Sequence, residues 1–136
     1  MSIEISKVIQ KFQIDIVYVP HRGDIHKDHK MVFDATLVAV RPRNNNTVKK
    51  VLAYETLSET EWGNPVASDM FIPTYFEDMD ELYFEKKMKA LSFFHSQMAP
   101  FPASRSLEAV DALSKYRGAT ISKMRAEAFM VVRIIS

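Results

Sequence analysis

Three of the four histidines in this chain fall within residues 20–30, PHRGDIHKDHK: His21, His26 and His29. Asp24 and Asp28 stand among them. Imidazole suits zinc and related metals, and a carboxylate can complete such a ligand set. On a helix that begins near His26, His26 and His29 share a face about one turn apart. A catalytic zinc takes roughly three protein ligands and a water, and Asp24, Asp28 and His21 are the local candidates for the remainder. Asp28 has a second use, as the carboxylate that orients a histidine ring through a hydrogen bond. The start of a helix also presents free N–H groups to an anion or a developing oxyanion. The plain alternative is a polar loop and a capped helix with no chemistry. His21 reads as an ordinary loop residue, and His95, in SFFHSQM, as a core or boundary histidine.

These residues need elements to hold them. IDIVYVP (14–20) is a β-branched and aromatic run stopped by Pro20, and it reads as a strand buried on both faces. HRGDI is then a loop, and Asp24 is placed to cap a helix running from about His26 to Val40, before Arg41-Pro42. Ahead of the strand, residues 2–12 carry Ile3, Ile5, Val8, Ile9 and Phe12 at helical spacing. RPRNNNT (41–47) is a polar turn, residues 48–56 a second strand, and SETEWGNPVASD a long loop. Residues 70–78 are extended, with Pro73 favouring a sheet edge. Leu82, Phe84, Met88, Leu91 and Phe94 mark an amphipathic helix over about 80–98. A helix from Ser106 to about Tyr116 and a strand over 128–135 complete the order. Strands alternating with helices predict an α/β fold with a mainly parallel sheet, whose ligand site lies beyond the carboxyl ends of the strands. The histidine cluster begins one residue after the first strand stops.

Composition sets the outer limits. The chain has 136 residues, 47% of them hydrophobic, which predicts a single domain over 1–136 with a real core. Its net charge of +1 steers it toward neither nucleic acid nor membrane. No apolar run approaches the ~20 residues of a membrane span, and MSIEISKVIQKF lacks the basic-then-apolar layout of a signal peptide. The absence of cysteine excludes disulfides and thiolate sites and fits a cytoplasmic protein. With three glycines, a glycine-rich phosphate loop is hardly possible. Arg41, Arg43, Lys49 and Lys50 form a basic patch with a structural use at a helix C-terminus. Glu55, Glu59 and Glu61 read as a solvated loop, and Phe71, Tyr75, Phe76, Tyr83 and Phe84 as core.

DIHKDH (24–29) resembles the second motif of the PIG-L/LmbE-like zinc-dependent N-deacetylases. The context agrees: IDIVYVP precedes it, a helix follows, and VLAYET comes next. FIPTYFEDMDELYFEKKMKALSFFHSQM resembles the family's later block, and YRGATISKMRAEAFMVVRII its C-terminal end. The resemblance implies a Rossmann-like fold and hydrolysis of acetamido groups, commonly on amino sugars. It implies that His29 is the metal ligand, that His26 faces the substrate carbonyl as oxyanion stabiliser or general acid, and that Asp28 holds a histidine in the right orientation and charge state. A water-activating site needs an electrophilic group beside the carbonyl as well as a metal, so this division of labour is preferred to placing both histidines on the metal.

The family's opening Ala-His-Pro-Asp-Asp type motif, which supplies two further metal ligands and the general base, has no counterpart in the sequence. The chain therefore resembles the C-terminal half of such an enzyme and is expected to lack the N-terminal strands. It would hold Zn²⁺ or a similar divalent metal weakly alone, and would expose an apolar sheet edge to a complementary chain or a second copy. Three functions follow. The chain is half of a deacetylase for an N-acetylated, sugar-type small molecule, active when a partner completes the site. Or it is a catalytically inactive relative serving as a fold fragment or interaction module. Or His21, Asp24, His26 and His29 form a small independent metal site.

Overall fold

The computed structural model describes residues 1–43 and 46–136. The polar turn expected over 41–47 includes residues 44 and 45, which lie outside them. The element order is α1 (Ser2–Phe12), β1 (Ile16–Pro20), α2 (Lys27–Ala39), β2 (Lys50–Tyr54), β3 (Tyr75–Asp78), α3 (Glu81–Ser92), α4 (Leu107–Ala119) and β4 (Ala126–Ile134). The α/β expectation therefore holds. Neighbouring strands run in the order β1-β2-β4-β3, with β3 at an edge, as Pro73 suggested. No helix of the described residues is long and apolar enough to cross a membrane.

The chain forms two compact units, Met1–Thr74 with Phe129–Ser136, and Tyr75–Ala128. In the first, β1 pairs parallel with β2 from Ile16↔Lys50 to Pro20↔Tyr54, and α2 is the crossover between them. β4 lies antiparallel on β2, with an irregularity between Val51 and Leu52. The core gathers Ile9 of α1, Val19, Phe33 and Val40, Val48, Val51 and Ala53. Each buried aliphatic or aromatic side chain contributes roughly 1.5–3 kcal/mol, and this cluster is what holds α1 and α2 on one face of the β1–β2 pair.

β1 departs from its expectation. It starts at Ile16 and is buried at Val19 and Pro20, while Ile16 is 37% and Tyr18 51% exposed. The strand is covered by α1 and α2 on one face only, and it ends the strand order, the exposed edge expected where N-terminal strands are lacking.

In the second unit α3 and α4 begin with side-chain caps. Asp80 accepts from Tyr83 N (3.0 Å) and Ser106 from Ala109 N (3.1 Å). These satisfy otherwise orphaned helix donors. Arg125 lies over the Phe84 ring, 3.6 Å from its centroid, and donates to Asp111 (2.6 Å), Ser114 (2.9 Å) and Glu81 (3.2 Å). α3 stops at Ser92, short of the expected 98. The N–H groups of Phe93 and Phe94 reach carbonyls three residues back, at Ala90 and Leu91, and Ser92 Oγ bonds Lys89 O. That tightening ends the α-helical ladder and leaves His95 exposed in a turn, not in a core or boundary. Of the aromatics read as core, Phe84 is buried and Tyr83 is 61% exposed.

Candidate active site

Every residue of the histidine segment belongs to the first unit. Pro20 closes β1, and the next N–H, that of His21, bonds Tyr54 O (3.0 Å) at the end of β2. The His21 ring is buried rather than an ordinary loop side chain. Its Nε2 donates to Asp69 O (2.8 Å), and its edge meets the Phe71 ring, with centroids 5.4 Å apart. A carbonyl only accepts, so the proton is on Nε2 and the ring is occupied in fixing the loop. Arg41, from the basic patch, donates to Val38 O at the end of α2, the structural use expected of it.

Asp24 does not cap α2. The N-cap is His26, whose side chain makes no capping bond. The Asp24 carboxylate turns inward and is wholly buried. Its Oδ2 lies 2.6 Å from His29 Nδ1, and its Oδ1 accepts from Thr60 Oγ1 at 2.7 Å. A buried carboxylate needs partners of this kind on its oxygens. His29 sits in the first turn of α2, about a quarter exposed, and its Nε2 is the ring nitrogen that remains for a ligand.

His26 and Asp28 are in the open, 56% and 77% exposed, with His26 Nδ1 3.7 Å from Asp28 Oδ2. The His26 and His29 rings lie 5.7 Å apart at 43°. The structure thus brings His26, Asp28, His29 and Asp24 to one loop and helix start, and leaves His21 apart from them in function. A four-residue metal site of His21, Asp24, His26 and His29 is not formed. His21 Nε2 is engaged by a carbonyl and Asp24 by His29 and Thr60. Among the described residues no three His, Asp or Glu side chains are grouped to hold a metal. His29 fits the role of one metal ligand; a complete set is not built from the described residues.

Residues 56–69 brace the histidine loop, a part the sequence reading did not assign. Ile25 N donates to Glu59 O (3.2 Å), and Glu59 is buried rather than solvated. Thr60 Oγ1 accepts from Thr56 N (2.8 Å) while donating to Asp24. A Cβ on Gly23 would stand 2.0 Å from Asp69 O, so only glycine permits this approach. Tyr54, at the carboxyl end of β2, has its phenol pushed up by burial and then by the negative charge of Asp24. The local signal for this bracing was slight: Gly23 and Gly63 alone hinted at close backbone contact.

No family model matches the chain. It is 39% identical over 75 residues to the uncharacterized deacetylase YaiS of Escherichia coli strain K12, covering 55% of this chain and 34% of that protein. The A40926 pseudoaglycone deacetylase Dbv21 superposes with a TM-score of 0.73 at 20% identity, over 99% of this chain and 56% of its own. The N,N'-diacetylchitobiose deacetylase of Pyrococcus horikoshii does so at 0.66 and 18% identity, over 97% and 51%. The chain shares its fold with these solved deacetylases, in keeping with the fold that the resemblance at DIHKDH implied. The chain spans about a third of the curated relative and about half of these solved structures.

Proposed function

We propose that this chain carries one side of a metal-dependent N-deacetylase site, acting in the cytoplasm on an acetamido group of an amino sugar or its conjugate. The observation that carries the reading is the His29 ring, tied at Nδ1 to a wholly buried carboxylate and offering Nε2 beside the more exposed His26. A zinc ligand is commonly held in this manner. Support for the reaction class comes from YaiS, Dbv21 and the chitobiose enzyme, each named a deacetylase, and for a sugar substrate from the chitobiose enzyme.

In this reading the remaining metal ligands and the general base come from a complementary segment or second chain that bears the His-Pro-Asp-Asp motif. Zn²⁺ or a similar ion, when held, supplies Lewis acidity and an acidified water. His26 faces the acyl oxygen and donates a hydrogen bond as negative charge develops there. Asp28, 3.7 Å away in the chain alone, orients the His26 imidazole once the completed site draws the two together. Water adds to the acyl carbon, the C–N bond breaks, the sugar nitrogen leaves as an amine after taking a proton, and acetate is released.

The test mixes the chain with a segment bearing the His-Pro-Asp-Asp motif and follows acetate release from an N-acetylated sugar in Zn²⁺. Release is expected from the mixture alone and should disappear with His29→Ala. A folded complex without activity, or activity indifferent to His29→Ala, would overturn the reading. The absence of a three-ligand group among the described residues favours a second reading, an inactive relative serving as an interaction module. On that reading Zn²⁺ leaves the melting temperature unchanged, and the His26→Ala, His29→Ala pair alters nothing.

A further inference from the structure

We propose that Asp24, braced by Thr60, fixes the tautomer and rotamer of His29 so that Nε2 carries the lone pair. This rests on the reading above only for what that lone pair binds. A carboxylate has no proton to give, so at 2.6 Å from Asp24 Oδ2 it is His29 Nδ1 that carries the hydrogen. A neutral imidazole has one N–H, and its lone pair is then on Nε2.

The direction of the whole chain of bonds is set at its far end. The Thr56 N–H donates to Thr60 Oγ1, which leaves the Thr60 hydroxyl proton for Asp24 Oδ1. Asp24 therefore has one oxygen engaged by Thr60 and one by His29, and its side chain has no solvent exposure. Water cannot substitute for either partner without opening the loop. The brace comes from the turn at 56–60, whose own backbone is closed by Thr60 N to Thr56 O (2.9 Å). Asp24 is thus held by a neighbouring loop rather than by the helix it precedes. His26 is the internal contrast, since both it and Asp28 are exposed and stand 3.7 Å apart, too long for a hydrogen bond. The structure fixes one histidine of the pair and leaves the other able to reorient. Asp24 and Thr60 are positioning residues; neither reaches a substrate.

The experiment is long-range ¹H–¹⁵N NMR of the ¹⁵N-labelled chain, at a pH where the imidazoles are neutral. His29 is expected as the Nδ1–H tautomer, and His26 as an averaged mixture. Asp24→Ala should shift His29 to an averaged mixture while the His21 resonances stay in place. Thr60→Val should loosen it in part, and Thr60→Ser should restore it. Zn²⁺ affinity, read at the same resonances, should fall about 10- to 100-fold in Asp24→Ala. A wild-type His29 protonated at Nε2 or averaged like His26 overturns the proposal, as does an unchanged tautomer in a folded Asp24→Ala. If Asp24→Ala does not fold, the wild-type tautomer and the Thr60 pair decide it. A correctly fixed His29 whose Nε2 ignores Zn²⁺ confirms the positioning and removes the metal reading beneath it.

Discussion

Asp24 and Asp28 are four residues apart in sequence, yet one is wholly buried and the other 77% exposed. Sequence reading selected His26, Asp28 and His29 from the spacing and the motif, and the structure sets all three at one helix start. It could not separate the two aspartates, because the choice depends on Thr60, which lies in another loop. If the deacetylase reading holds, His26→Gln should lower the rate of acetate release from the completed site about 10²- to 10³-fold with little change in KM. A steady-state assay checks this. Asp111 gives a prediction independent of the site. Lys115, and then Arg125, hold its carboxyl below the ordinary carboxylate value. The stability this contributes is fully present above the unfolded value, near pH 4, and is lost as pH falls through the lower folded value. Asp111→Asn should therefore flatten the fall in urea midpoint below about pH 4. It should also cost about 1 kcal/mol at neutral pH.

At the scale of elements, periodicity and breakers located the helices and strands well, since Pro20, Arg41-Pro42 and Ser106 mark real ends. The errors share one cause. Burial of β1 and the extent of α3 are set by what covers them, and an apolar strand sequence reads the same whether one face or both are packed. Leu52, wholly buried in β2, is the sharpest test of the sheet. Leu52→Ala should lower the unfolding free energy by about 2–5 kcal/mol in a denaturant melt. Gly23→Ala tests the junction of the two loops, because its new methyl group would meet Asp69 O at 2.0 Å and His21 Nε2 at 2.7 Å. We expect a loss of about 1–3 kcal/mol, accompanied by faster amide exchange at Asp24 and Ile25.

For the molecule as a whole, the chain's likeness to about half of a solved deacetylase was legible from motif order and from the missing His-Pro-Asp-Asp string. The division into two compact units was not, because no composition shift marks residues 74–75 or 128–129. β1 ends the strand order and leaves Ile16 partly exposed. If this edge receives a complementary chain or a second copy, sedimentation velocity should show concentration-dependent association, and Ile16→Lys should weaken it. The second unit leaves the first after Thr74 and returns at Phe129, and those two residues share a backbone hydrogen bond of 2.8 Å. A departure and a return that meet so closely make the intervening 54 residues, Tyr75–Ala128, a cassette. The histidine loop and the two strands that carry it, β1 and β2, lie entirely outside that stretch.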